Sequence, residues 1–154
     1  MISNTSPIIF LAKIGKLELL KKLYKEVKIT TDVKNEIIIE NHSEIELIKN
    51  SIDEGTLIIK NPQKILDLRL GKGENSAIGL ALELKEPLMI DDALATKAAN
   101  SLGIETLRTT TLIFTAAKKK IITKQEAFKL INKLIEEGYY ISPKYYKDIL
   151  SKLK

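Results

Sequence analysis

Four short segments of this 154-residue sequence place oxygen-bearing side chains where an α/β chain would gather them. The opening Met-Ile-Ser-Asn-Thr-Ser-Pro (1–7) reads as a short strand that breaks at Asn4 and turns into a helix. The run Pro-Leu-Met-Ile-Asp-Asp (87–92) reads as an apolar strand ending on Asp91 and Asp92. Between them, Gly71-Lys72-Gly73-Glu74 sets a carboxylate at the start of a helix, and Glu36 lies within another. In an open parallel sheet, residues just past the C-terminal strand ends meet along one edge, where ligands bind. Carboxylates gathered there suit a hard divalent cation such as magnesium or manganese. Such an ion orients and activates water and offsets charge on a phosphodiester under attack. Each residue also has a plainer reading. Asp91 or Asp92 can cap a helix, Glu74 can complement a helix dipole, Asn4 can cap its own turn, and Glu36 can be a solvated helix residue.

Other chemistries find less support. With no cysteine there is no disulfide framework, thiolate nucleophile or zinc–thiolate site. Ser3, Thr5 and Ser6 have no histidine or lysine base nearby in the sequence, which argues against a serine nucleophile. His42, the single histidine, lies in a polar loop and reads as exposed, as do Glu40 and Glu44. Gly71 to Glu74 lacks the Gly-Lys-Ser/Thr ending and preceding strand of a phosphate loop. Thr109-Thr110-Thr111 reads first as a helix cap and second as a partner for phosphate or water. Tyr139, Tyr140, Tyr145 and Tyr146 sit among lysines. They can stack unpaired bases, although packing of the last helix is the plainer reading.

The elements that must position these residues follow from periodicity. Strands are expected at 2–4, 27–30, 57–59, 87–91 and 104–107. Helices are expected from Ser6-Pro7 to Gly15, over 17–23, from a Thr31-Asp32 cap to Ile39, and over 45–52, 74–84, 92–102, 110–120, 123–137 and 143–153. Residues 62–72 read as a loop or short helix. Strands alternating with helical patterns argue for an α/β chain: a three-layer α/β/α sandwich around a mainly parallel sheet. No repeat or linker divides the chain, so a single domain over 1–154 is expected.

Composition sets outer bounds. Hydrophobic residues make up 44% and charged residues 29%, a globular balance. No apolar run approaches the roughly 18 residues of a membrane helix, and the start lacks the features of a signal peptide. A cytoplasmic protein without membrane contact is the simplest expectation. Net charge is +5, unevenly spread. Residues 115–154 carry ten lysines and four acids, whereas 1–114 carry fifteen basic and sixteen acidic residues. A basic segment beside a near-neutral body suits an anionic polymer, with Lys118, Lys119 and Lys120 as candidate contacts; a lysine-covered surface kept for solubility is the alternative.

Together the segments resemble the PIN-domain family of small metal-dependent ribonucleases, which includes the toxins of many prokaryotic toxin–antitoxin pairs. The stretch from Ile2 to Gly15, the Gly73-Glu74 helix with Ala77 to Ala81, Ile90-Asp91-Asp92 with Ala95 and Gly103, and the ending Gly138 to Pro143 carry the likeness. The resemblance implies an endoribonuclease using Mg2+ or Mn2+, a homodimer, and a small antitoxin protein as a possible partner. It sets Asn4 where the family has its first metal-binding Asp, Glu36 at a less regular acidic position, Glu74 at the central acid, and Asp91 or Asp92 at the third. A further acid common after the next strand is missing from Arg108-Thr109-Thr110-Thr111. Asn offers a carbonyl oxygen but no charge. The alternative implied by this departure is a degenerate, non-catalytic PIN module that binds RNA or a protein partner.

Overall fold

The computed structural model describes residues 1–40 and 43–154, with Glu40 described in its backbone alone. The expectations for His42 and the Glu40 side chain lie outside the described residues. The chain falls into two compact units, Met1–Thr109 and Thr110–Lys154.

In the first unit, five short strands form one parallel sheet: β1 (Ile2–Ser3), β2 (Val27–Ile29), β3 (Leu57–Ile59), β4 (Leu88–Met89) and β5 (Thr106–Leu107). Their spatial order is β3-β2-β1-β4-β5. The helices between them are α1 (Thr5–Lys13), α2 (Glu18–Tyr24), α3 (Thr31–Glu40), α4 (Ile45–Asp53), α5 (Lys72–Leu84) and α6 (Ala93–Ser101). This is the expected α/β/α class with a parallel sheet. Both faces of the sheet are covered, so the apolar residues of the strands are buried: Ile2, Val27, Ile29, Leu57, Leu88 and Met89 are almost inaccessible. The chain moves outward from β1 through β2 to β3, then returns to β4 on the other side of β1. That reversal puts a topological switch point between β1 and β4, where a crevice opens outside the carboxyl ends.

Several boundaries differ from the sequence expectations. Helix α1 begins at Thr5, with Asn4 at the capping position, so Pro7 stands at the third helical residue rather than the first. Thr30, not Thr31 or Asp32, caps α3: its Oγ1 accepts from Val33 N at 3.2 Å. Residues 62–71 form no helix. Gly15 and Gly103 follow α1 and α6 at φ +70° and +79°, the left-handed turn that ends a helix.

The second unit holds most of α7 (Thr109–Lys118), then α8 (Lys124–Glu136) and α9 (Pro143–Leu153). Helix α8 buries Ala127, Leu130, Ile131 and Leu134, an i, i+3, i+4, i+7 stripe. Thr123 caps α8, and Ser142 caps α9 ahead of Pro143. Among the described residues, no helix is long and apolar enough to cross a membrane.

Candidate metal and phosphodiester site

The candidate site lies at the switch point. Strands β1 and β4 pair in parallel, Ile2 beside Leu88 and Ser3 beside Met89. Asn4 N donates to Met89 O at 2.9 Å, so the two chains leave the sheet side by side. Asn4 is extended, at φ −78° and ψ 176°, and its side chain makes no capping bond to α1. It is 2% exposed. Its Nδ2 instead donates to Glu74 Oε1 at 3.4 Å. Its Oδ1 is buried and has no hydrogen-bond partner among the described residues. The expected cap at Asn4 is therefore not made by its side chain.

The next two residues do the same work for two other carboxylates. Thr5 Oγ1 donates to Glu36 Oε2, and Ser6 Oγ donates to Asp91 Oδ2 at 3.1 Å. Successive residues in a helical turn point about 100° apart. Thr5 and Ser6, consecutive in the first turn of α1, therefore hold their two carboxylates in different directions, and the extended Asn4 meets the third just before the helix. The first turn of that helix also carries the partial positive charge that favours anions.

Each carboxylate has a second anchor or a second constraint. Glu36 projects from α3 to the start of α5, where its Oε1 accepts from Gly73 N at 2.9 Å. A β-carbon on Gly73 would lie 2.6 Å from Glu36 Oε1 and 2.7 Å from its Cδ. Glycine is needed here for close approach. Glu36 is thus half-buried against a helix N-terminus, unlike the solvated residue its surroundings in sequence suggested. Glu74 stands in the first turn of the same helix, and a β-carbon on Gly71 would collide with its Oε2. Asp91 accepts from Thr109 N at 2.9 Å and from Thr109 Oγ1 at 2.7 Å, as well as from Ser6.

Asp92 is engaged by its own helix. Its Oδ1 caps α6 by accepting from Ala95 N at 2.7 Å. The structure thus brings Asn4, Glu36, Glu74 and Asp91 to one sheet edge and leaves Asp92 as a helix cap. Lys118, Lys119 and Lys120 are exposed in the second unit. The sequence suggested Thr5 and Ser6 as weak nucleophile candidates, Ser6 also as a helix start, and Thr109 as a cap or a partner for phosphate or water; in the structure all three hold carboxylates. The available signal was three consecutive polar residues directly after an apolar strand, at a helix start.

A hard cation can be tested against these donors. Asn4 Oδ1 fits, as a buried carbonyl oxygen lacking the partner that a buried acceptor normally has. Glu74 fits too, because among the described residues its only hydrogen bond comes from Asn4. However, among the described residues no three of His, Cys, Asp and Glu stand close enough to hold a metal by themselves. Asn4 Oδ1 would have to complete the donor set, without charge, and ligand charge count governs affinity for such ions.

A family model described as a PIN domain matches residues 1–154. Among solved structures, the fold is similar to a PilT N-terminus domain protein from the hyperthermophilic archaeon Sulfolobus solfataricus P2. That match has a TM-score of 0.55 and 24% identity, and covers 73% of this chain and 90% of the other. No curated protein matches the chain.

Proposed function

The chain belongs to the PIN-domain family, and from that premise we propose that it is a divalent-metal-assisted endoribonuclease that hydrolyses RNA phosphodiester bonds. The family has a nuclease-type fold. The observation that carries the reading is the convergence of Glu74, Glu36 and Asp91 on Asn4, Thr5 and Ser6. A magnesium or manganese ion, when bound, supplies Lewis-acid polarisation of a phosphoryl oxygen and activation of water. Asn4 Oδ1 and Glu74 are the residues that would hold it. Thr109 and Ser6 fix the Asp91 carboxylate, and Thr5 and Gly73 fix that of Glu36, so both keep one orientation as substrate arrives. Their negative charge repels bulk anions, so a phosphate enters only with its charge compensated. Glu74 Oε2, which accepts no hydrogen bond among the described residues, is the carboxylate oxygen left to meet a magnesium or manganese ion.

A second reading has its own support. The amide of Asn4 is neutral and already donates to Glu74. That contact steadies the Glu74 carboxylate without an ion, and it favours a non-catalytic PIN module that binds RNA or a protein. The deciding experiment is RNA cleavage by wild type, Asn4→Asp and Asn4→Asp/Glu74→Gln, each with manganese and with chelator. The nuclease reading requires faster cleavage by Asn4→Asp with manganese, abolished by Glu74→Gln. Equal inactivity of all three leaves the non-catalytic module. The nuclease reading also includes a homodimer and a small antitoxin protein as partners; a monomer by light scattering at micromolar concentration removes the first of these.

A further inference from the structure

The second unit contains a cavity of about 340 Å³ that the nuclease reading does not use. It is lined by Thr111, Phe114, Lys118, Lys124, Tyr145 and Lys152, with two aliphatic neighbours. Thr111, Phe114 and Lys118 recur at i, i+3 and i+7 on α7, and Tyr145 and Lys152 at i and i+7 on α9. Each set shares one helix face. Two aromatic rings therefore sit at the cavity with three ammonium groups, and no acidic side chain lines it among the described residues.

The aromatic side is held in place. Tyr145 Oη hydrogen-bonds Thr110 Oγ1 at 3.0 Å, and its backbone N–H donates to Ser142 Oγ at 3.2 Å. The next residue is tied as well: Tyr146 Oη donates to Asn132 Oδ1 at 2.8 Å. A ring fixed by its far end needs no further ordering to receive a flat ligand. The ammonium side is more open. Lys124 Nζ donates to Lys154 O at 3.1 Å, whereas Lys118 and Lys152 have no hydrogen bond or ion pair among the described residues. The unit as a whole carries ten lysines and four acids.

From this cavity we infer that the second unit takes up an unpaired nucleotide of a single strand, its base against Tyr145 and Phe114 and its flanking phosphates on Lys118 and Lys152. Three features select this occupant. The volume lies within the range of small-molecule sites. Base–aromatic stacking tolerates any base because each has a π-face. The lysines match a polyanion and would repel an ammonium or a basic peptide. A duplex is excluded because its bases are already stacked and cannot enter. The inference rests on the reading of RNA as substrate, and it uses none of the carboxylates.

Binding is measured in chelator, where no cleavage is possible, so this inference and the nuclease reading fail separately. Full-length protein is titrated into labelled, unstructured RNA, into DNA of the same sequence and into duplex RNA. A 2-aminopurine in the single strands reports stacking. Tyr145→Ala should weaken single-strand binding about tenfold and abolish the quenching of 2-aminopurine. Tyr145→Phe keeps the ring and should keep the quenching. Lys118→Gln/Lys152→Gln, on exposed positions that the fold does not need, should lower the slope of log affinity against log salt by about 1.4. Tighter binding of RNA or of DNA supports the cavity and identifies the source of its strand. Wild-type affinity and quenching in Tyr145→Ala overturn the inference. So does an unchanged salt slope in the lysine pair, or duplex RNA binding as tightly as single strand.

Discussion

Asn4 Nδ2 stands 3.4 Å from Glu74 Oε1, so a hydrogen-bond donor faces a carboxylate where a PIN-family aspartate would set two anions together. The orientation of the amide follows from this contact, because turning the carbonyl toward Glu74 would oppose two acceptors. The neutral residue thus steadies the metal-free fold while removing a charge from the donor set. Asn4→Asp should reverse both effects. Without metal the variant should be less stable by about 1 kcal/mol, through loss of the bond and gain of like-charge repulsion. With manganese it should be more stable than wild type, because an ion bound only by the folded state raises the melting temperature. Thermal melts with chelator and across a manganese series check the crossover; parallel curves for the two proteins would remove Asn4 from ion binding.

Gly73 and Glu36 should behave as one unit. Gly73→Ala drives a methyl group into the Glu36 carboxylate, and overpacking of this kind costs about 1–3 kcal/mol. In a Glu36→Ser background the obstacle is gone, and the same substitution should be near neutral. A double-mutant cycle by urea unfolding measures the coupling. Additive costs would mean that the close approach does not constrain the helix.

Asp91 and Asp92 should separate cleanly. Asp91→Ala leaves the Thr109 amide and the Ser6 hydroxyl without their acceptor and should cost about 2 kcal/mol. On the nuclease reading it should also abolish cleavage. Asp92→Ala removes a helix cap, costs about 1 kcal/mol, and should leave cleavage by the folded fraction near wild type. Paired stability and cleavage measurements decide the register; loss of activity in Asp92→Ala alone would reverse it.

Glu86 should make stability fall in acid. Burial raises its pKa, but hydrogen bonds and charge from Lys28 and the Met1 amino group outweigh that and hold it below the ordinary 4.5. Lys28 Nζ donates to Glu86 Oε1 at 2.8 Å. A carboxyl with a depressed folded pKa contributes stability that is present above the unfolded value and is lost as pH falls through the folded one. Stability should therefore decline from about pH 4.5 downward. Glu86→Gln should flatten that decline and cost about 0.5–1 kcal/mol at neutral pH. Urea unfolding at pH 3 to 7 tests both; an unchanged acid slope in the variant would exclude Glu86 as a contributor.

Local signals made much of the molecule readable from the sequence. The 3.6-residue spacing of Ala127, Leu130, Ile131 and Leu134, and Gly103 and Gly138 just past their helices, lie within a few residues of the features they specify. So do the apolar runs at 57–59 and 87–90. Their alternation with helices was enough for a parallel α/β sheet, and strand ends and a helix start suggested that residues 4, 74 and the 91–92 pair meet. Finer placement was not readable, because it depends on partners far along the chain. Asp91 and Asp92 follow the same strand and have the same chemistry. Only the approach of Thr109, 18 residues later, gives one to the crevice and leaves the other to its own helix. Glu36 looked like a solvated helix residue because its anchor, Gly73, lies 37 residues away. Asn4 could cap its turn or reach elsewhere, and the arrival of Glu74 across 70 residues decided it. A helix face or cap is set by neighbours three or four residues apart. Which carboxylate meets which hydroxyl is set by the strand order that brings β1 between β2 and β4, and that order is a property of the packed sheet.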